Sequence, residues 1–308
     1  ADASTRALPV DAVSFQDEEA RFVGCLGSRS LIGALTPEME DGAADSRGTT
    51  LAEALQEAGL AGVPRIRLDP GRYAGFVEPH IEQGPHLDDE GRRIGVVTGI
   101  VGLRGIRFVF RGQQNHAGTT MMARRRDAST ALYEIAHRIN QEFPKVAGQR
   151  SVWTMGRARI EPNATSIVPG YAELDLQFRD PEDAPLDVFE GVVARLVEEI
   201  NARGSVAIEA IRARAPIRPS RMDPRLQAHI EAAAERHAPG SWQRMPSGAF
   251  HDAGIVSERL PSAMLFIPSI GGISHDFAED SREEDIVLGC QVVADAAASI
   301  LAEANAAR

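Results

Sequence analysis

Ala172-Glu173-Leu174-Asp175-Leu176-Gln177-Phe178-Arg179 alternates apolar and polar side chains without a break. Period two puts every second residue on one face of a strand, so the stretch predicts a half-buried β-strand with Leu174, Leu176 and Phe178 inward. Its surroundings extend the pattern. Ile106, Phe108 and Phe110 alternate with Arg107 and Arg111, which predicts an earlier strand. Asp127 is placed to cap a helix with the stripe Ala131, Leu132, Ile135 and Ile139, stopped near Pro144. Val152 to Ile160 reads as a strand. A helix after the quoted stretch turns Phe189, Val192, Val193, Leu196 and Ile200 inward, and Val206 and Ile208 mark a last strand. The order β-α-β-β-α-β packs as one small sheet with two helices on one face.

Outside this block the apolar runs are continuous rather than alternating. Leu8 to Phe15, Gly75-Phe76-Val77 ahead of Pro79-His80, and Ala263 to Ile267 ahead of a loop to His275 read as strands of a sheet covered on both faces. The fold class expected is therefore α/β. Residues 1–105 and 214–308 form an α/β sandwich domain, and 106–213 form an inserted α+β domain. Ala213 to Pro219, with Pro216 and Pro219, is the return link. A length of 308 residues suits two domains. Ser281 and Glu284 have capping-box spacing for a last helix, with Ile286, Val287, Cys290, Val293, Ala294, Ala297, Ile300 and Leu301 as its apolar stripe.

A hydrophobic share of 43% with 25% charged residues is ordinary globular composition and excludes disorder. The net charge of -11 argues against a nucleic-acid or anionic-membrane partner. With no long unbroken apolar run, no transmembrane helix is expected. Ala1 to Ala7 lacks the charged start and apolar core of a signal peptide. Cys25 and Cys290 make no disulfide framework and no zinc-type pair; they read as two small buried apolar residues, which fits a reduced, cytoplasmic setting.

Several side chains can carry chemistry. Glu18 and Glu19 follow a predicted strand, where one carboxylate can bind a metal while its neighbour takes a proton from water. Alone, such a pair is more often a solvated acidic loop. His80, in His80-Ile81-Glu82-Gln83-Gly84-Pro85, and His275, in Gly272-Ile273-Ser274-His275, are each also readable as structural histidines. In combination they gain weight, because Glu19, His80 and His275 each follow a predicted strand of one domain. Ligands collect outside the carboxyl ends of such strands, and two imidazoles with carboxylates suit zinc or manganese. In the inserted domain His116, within Gln114 to Thr120, can stabilise an oxyanion or lie in a plain polar loop. Pro162-Asn163 reads as a turn. Arg179 can grip a carboxylate with its two-pronged head or serve as a surface ion pair.

Together the runs His80 to Pro85, Asn115 to Thr120, Pro162 to Gly170 and Gly272 to His275 resemble the carbamoylase branch of the M20 metallopeptidase family, from about Leu8 to the C-terminus. That branch includes N-carbamoyl-L-amino acid hydrolases, allantoate amidohydrolases and β-ureidopropionases. The resemblance implies Glu18 as general base, Glu19, His80 and His275 as metal ligands, and His116 as an oxyanion-binding histidine reached across a dimer interface. It implies Gln83, Asn163 and Arg179 as substrate contacts, with His251 in a family-like segment beside them. It further implies two Zn or Mn ions per active site, a metal-binding domain, an inserted lid that forms a homodimer, and hydrolysis of the C–N bond of N-carbamoyl-L-amino acids or related ureido acids. An M20 aminoacylase or exopeptidase is the alternative. The resemblance also implies a His-x-Asp segment and a bridging Asp ahead of Glu18-Glu19. Neither occurs ahead of Glu18 in this sequence. The expectation is therefore an N-terminally incomplete metal-binding domain, with weak metal binding and little turnover, and an inactive relative or fragment as a further alternative. Ala20, Met121 and Phe250 stand where the family usually has Gly, Pro and Gly.

Overall fold

The computed structural model describes residues 9–213 and 216–306. The expectations for Ala1 to Leu8 and for residues 214 and 215 lie outside them. Two compact units result, one from the residues up to Ile100 and from Ser220 onward, the other Val101–Pro219. Both are mixed α and β.

The first unit opens with short helices α1 (Leu26–Ile32), α2 (Pro37–Asp41) and α3 (Leu51–Glu57). Thr50 and Glu53 form a reciprocal capping box on α3. Residues 9–15 form no strand, contrary to the sequence expectation. Val10 and Val13 are exposed; Phe15 instead leans on Phe76, with ring centroids 6.1 Å apart. An apolar run is a strand only where a sheet edge accepts its backbone groups, and among the described residues none does here. β1 (Phe76–Ile81), α4 (His86–Asp89) and β2 (Ile94–Ile100) follow. β1 runs through Pro79 and His80 rather than ending before them.

The second unit contains β3 (Gly102–Arg111), β4 (Asn115–His116), α5 (Ala128–Glu142), β5 (Val152–Glu161), β6 (Ile167–Val168), β7 (Tyr171–Asp180), α6 (Asp183–Asn201) and β8 (Ala207–Arg212). The sheet order is β5-β7-β3-β8, antiparallel throughout, with β4 and β6 paired separately. Alternate β7 residues, Ala172 through Asp180, are buried, as period two requires. Asp127 accepts from the backbone N–H of Ser129 (2.9 Å) and Thr130 (3.3 Å), which starts α5. Both helices bury their stripes against the sheet in one core built on Phe108, Phe143, Phe178 and Phe189.

The chain then returns through β9 (Ser220–Arg221), α7 (Pro224–His237), β10 (Trp242–Ser247), α8 (Asp252–Val256), β11 (Ser262–Ile267) and α9 (Glu283–Ala306). The first unit's sheet has the order β1-β11-β2-β10, with β9 paired to the end of β2. β1 and β11 are parallel, as are β2 and β10, while β11 and β2 are antiparallel. All six β11 residues are buried. Leu226, Ile230, Leu288 and Val292 of α7 and α9 cover one face, and Leu87, Met222 and Ala253 belong to the core on the other.

The last helix departs from expectation in three ways. Ser281 caps nothing; its hydroxyl donates to the Pro268 carbonyl at 2.7 Å, and α9 starts at Glu283. The buried face is Asp285, Leu288, Gly289, Val292, Ala296 and Ile300, while Ile286 and Val287 are about half exposed and Cys290 is exposed. Asp285 is drawn inward by Arg93, whose Nε donates at 2.7 Å. The helix is also long and apolar enough to cross a membrane by length and composition; here Leu288, Val292, Ala296 and Ile300 pack into the core of its unit.

Candidate metal centre

Topology brings the candidate residues together. β1 and β11 are parallel neighbours, with His80 opposite Phe266 and Ile81 opposite Ile267, so the loops after both strands leave the same end. The His80 Nδ1 lies 2.8 Å from the Ile81 carbonyl oxygen. A carbonyl only accepts, so Nδ1 carries the proton and Nε2 keeps a lone pair, the state a metal ligand needs. The loop after β11 turns at Gly272 (φ 67°), where a Cβ would lie 2.7 Å from Pro85. It reaches His275 in a left-handed conformation (φ 57°), whose N–H donates to Glu279 at 3.0 Å. The His275 Nε2 is 3.5 Å from a Glu19 carboxylate oxygen, both side chains being exposed. Gly272→Ala, which adds both the clash and the φ strain, is expected to lower stability by about 1–3 kcal/mol. It should also weaken metal binding, because it shifts the His275 loop. Urea unfolding and metal titration of the variant check this.

A carboxylate missed in the sequence reading holds the Glu18-Glu19 loop. Asp17 accepts from the backbone N–H groups of Arg21 (2.5 Å), Phe22 (3.0 Å) and Val23 (2.8 Å). The Cys25 N–H donates to the Glu18 carbonyl at 3.1 Å. Ala20 has φ 65°, a conformation glycine adopts without strain, which is the residue the resemblance expects there. Burial, then the charges of Glu19 and Asp252, push the Glu18 carboxyl up to about 7.

The start of α8 faces β1. Glu78 shares a strand face with His80, two residues on, and accepts the Ala253 N–H at 2.6 Å. Burial nevertheless pushes the Glu78 carboxyl up to about 8. His251 is fully buried. Burial and His80 hold it neutral, down to about 3. The rings of His80 and His251 meet edge-on with centroids 4.5 Å apart. His251 Nε2 lies 2.8 Å from the Ser247 hydroxyl, while its Nδ1 has no partner. Glu78, His80 and His251 each offer one ligand atom, all within 4.8 Å of one another. Beside them Asp252 accepts from the Ser28 hydroxyl. Phe250 packs into the apolar clusters around Met222 and Ile255.

These shifts set a pH dependence for the metal-free protein. Folded Glu18 and Glu78 keep their protons to higher pH than the ordinary 4.5. Their stabilising contribution is full below that value and is lost as pH rises through about 7 and about 8. His251 works oppositely, its contribution being present above 6.5 and lost as pH falls toward 3. Between pH 6.5 and 8 the carboxyls act unopposed by it. In chelator, Tm should fall from pH 6.5 to pH 8, and Glu78→Gln should remove much of that slope. A Tm rising over this window would contradict it.

The remaining candidates are spread over both units. Gln83 (φ 54°) follows β1 and its N–H donates to the Ser269 hydroxyl at 3.0 Å. In the second unit His116 Nδ1 accepts from the N–H groups of Gly118 (3.1 Å) and Thr119 (3.2 Å), which leaves the proton on Nε2 as an outward donor. Asn163 (φ 59°) follows the cis Glu161–Pro162 bond. Arg179 lies near the end of β7 opposite Leu103 and Val152. Glu78 could have been found in the sequence, since strand period two places it on the face of His80; Asp252 carried no such signal. The imidazole lone pairs, adjoining carboxylates and orphaned His251 Nδ1 fit a divalent cation of the zinc or manganese type.

Comparison with known proteins agrees with this chemistry. The pattern of peptidase family M20/M25/M40 matches residues 2–299. An N-carbamoyl-L-amino acid amidohydrolase of Geobacillus stearothermophilus is 35% identical over 298 residues, which cover 92% of this chain and 69% of the relative. An allantoate amidohydrolase of Escherichia coli (strain K12) is 34% identical, with 92% and 69% covered. The crystal structure of an amidase of the hydantoinase/carbamoylase family from Burkholderia phymatum superposes with a TM-score of 0.87 at 44% identity, covering 97% of this chain and 72% of that one.

Proposed function

The chain belongs to peptidase family M20/M25/M40, and from that premise we propose that it is a metal-dependent amidohydrolase of the carbamoylase branch. It cleaves the C–N bond of N-carbamoyl-L-amino acids or related ureido acids. The observation that carries the reading is the meeting of Glu19 with His275, beside the poised Glu18 and the free Nε2 of His80. Glu19, His80 and His275 would hold Zn²⁺ or Mn²⁺, two ions per site by resemblance. Bound there, the metal supplies polarisation of the ureido carbonyl and acidification of water. Glu18, with a carboxyl near neutrality, takes the proton from the attacking water and passes it to the leaving amine. His116 donates from Nε2 to the developing oxyanion. Arg179 holds the substrate carboxylate, and Gln83, Asn163 and His251 contact the substrate. The products are the free amino compound, ammonia and carbon dioxide.

The inserted unit serves as lid and homodimer interface in this reading. The setting is cytoplasmic, and free Cys25 and Cys290 are compatible with it. The two relatives named above are an N-carbamoyl-L-amino acid amidohydrolase and an allantoate amidohydrolase, which does not favour the exopeptidase or inactive-relative alternatives. The test compares kcat/KM for an N-carbamoyl-L-amino acid and allantoate with that for an N-acetyl amino acid and a dipeptide. Ureido substrates should lead; faster acyl or peptide turnover would restore the aminoacylase reading.

A further inference from the structure

We infer that Arg125 is the positioning residue of the oxyanion donor: its guanidinium clamps the turn after His116 and so fixes which ring nitrogen of His116 carries the proton. The inference rests on the reading of His116 as that donor, and it adds a residue that acts through His116 rather than on the substrate.

His116 is exposed and closes a two-residue strand, so no surrounding core orders its ring. The turn that follows does. The N–H groups of Gly118 (3.1 Å) and Thr119 (3.2 Å) converge on Nδ1. The Thr120 hydroxyl (2.6 Å) and N–H (3.1 Å) both donate to the His116 carbonyl. Gly118 and Thr119 are therefore the tip, flanked by the carbonyls of Ala117 and Thr120. Arg125 holds both of these: Nη2 donates to Ala117 at 2.5 Å and Nε to Thr120 at 3.1 Å. The donors of a guanidinium sit in a rigid fork, so engaging two carbonyls fixes their separation. The positive charge makes each bond stronger than a neutral donor would. Arg125 is half-buried between exposed Arg124 and Arg126. Its backbone is anchored on either side, its own N–H donating to the Met122 carbonyl (3.2 Å) and the Gln113 N–H to the Arg126 carbonyl (2.7 Å). The clamped turn also touches the segment after Asn163, because the Ala117 N–H donates to the Ser166 carbonyl at 2.9 Å and β4 pairs with β6. Without Arg125 the two carbonyls are free to part and the tip N–H groups to leave Nδ1. The proton can then settle on Nδ1, which turns Nε2 into an acceptor that repels the oxyanion it should stabilise.

The test combines steady-state rates of the Zn²⁺-loaded full chain with ¹H–¹⁵N NMR of the imidazole nitrogens, the His116→Ala spectrum identifying the His116 signals. Wild type should show the Nε2-protonated tautomer. Arg125→Ala should populate the Nδ1-protonated form and lower kcat for an N-carbamoyl-L-amino acid about 10–100-fold, with KM within about twofold. His116→Ala should cost about 10²–10³-fold, and the Arg125→Ala/His116→Ala double variant should be no slower, because the two act as one unit. Arg125→Lys keeps the charge and one reach to a carbonyl, so it should recover part of both the rate and the tautomer, with an unchanged thermal transition excluding a folding artefact. Arg124→Ala should alter neither readout. A wild-type tautomer in Arg125→Ala, or multiplying losses in the double variant, would overturn the inference. If no ureido acid is turned over, the hydrolytic reading fails while the tautomer still tests the clamp.

Discussion

Glu18→Gln is expected to lower kcat toward ureido substrates by about 10²–10⁴-fold while metal stays bound. The amide is nearly isosteric and keeps the loop, which is held by Asp17 and by the Glu18 backbone carbonyl rather than by the Glu18 side chain. What it loses is the proton acceptor. Burial places that acceptor near neutrality, where a base is both free and strong enough to take a proton. Steady-state rates with metal analysis on the same sample separate the two effects. Near-wild-type turnover would remove Glu18 from the mechanism, and loss of metal would make it a ligand.

Phe189→Ala should destabilise the second unit by about 3–5 kcal/mol. Its ring is fully buried. It stacks on Phe143 with centroids 4.3 Å apart and meets Phe178 edge-on at 5.5 Å and Trp153 at 6.2 Å. Truncation therefore opens a cavity lined by three rings that cannot collapse without leaving their rotamers. Urea unfolding followed by tryptophan fluorescence reads it directly, since Trp153 is in contact with the lost ring. A change below about 1 kcal/mol would mean that the cluster repacks freely.

The second unit was legible because its elements are half-buried. A strand with one wet face must alternate, and a helix with one wet face must show a stripe, so Ala172 to Arg179 and the α5 and α6 patterns reveal their inward sides. The first unit gave up less. Leu8 to Phe15 is apolar without a pattern, and an apolar run does not say whether a strand edge is waiting for it. α9 is apolar nearly all round, so periodicity does not say which face is buried; Asp285, paired with Arg93 far away in sequence, lies on the buried side with Leu288 and Val292. At the site, the placing of His80 and His275 near the ends of neighbouring strands followed from the apolar runs before them. The convergence of Ser247, His251 and Asp252 on β1 did not, because it depends on α8 packing against that strand. Glu78 was hidden because the apolar run ends at Val77; only a strand continued through His80 puts the two residues on one face.

The most direct test of the account is ammonia release from an N-carbamoyl-L-amino acid by the protein purified as its gene encodes it, with Zn²⁺ or Mn²⁺ and with chelator. The account predicts release that stops with chelator and returns with metal. Metal bound at Glu19, His80 and His275 without ammonia release from any ureido acid would contradict it.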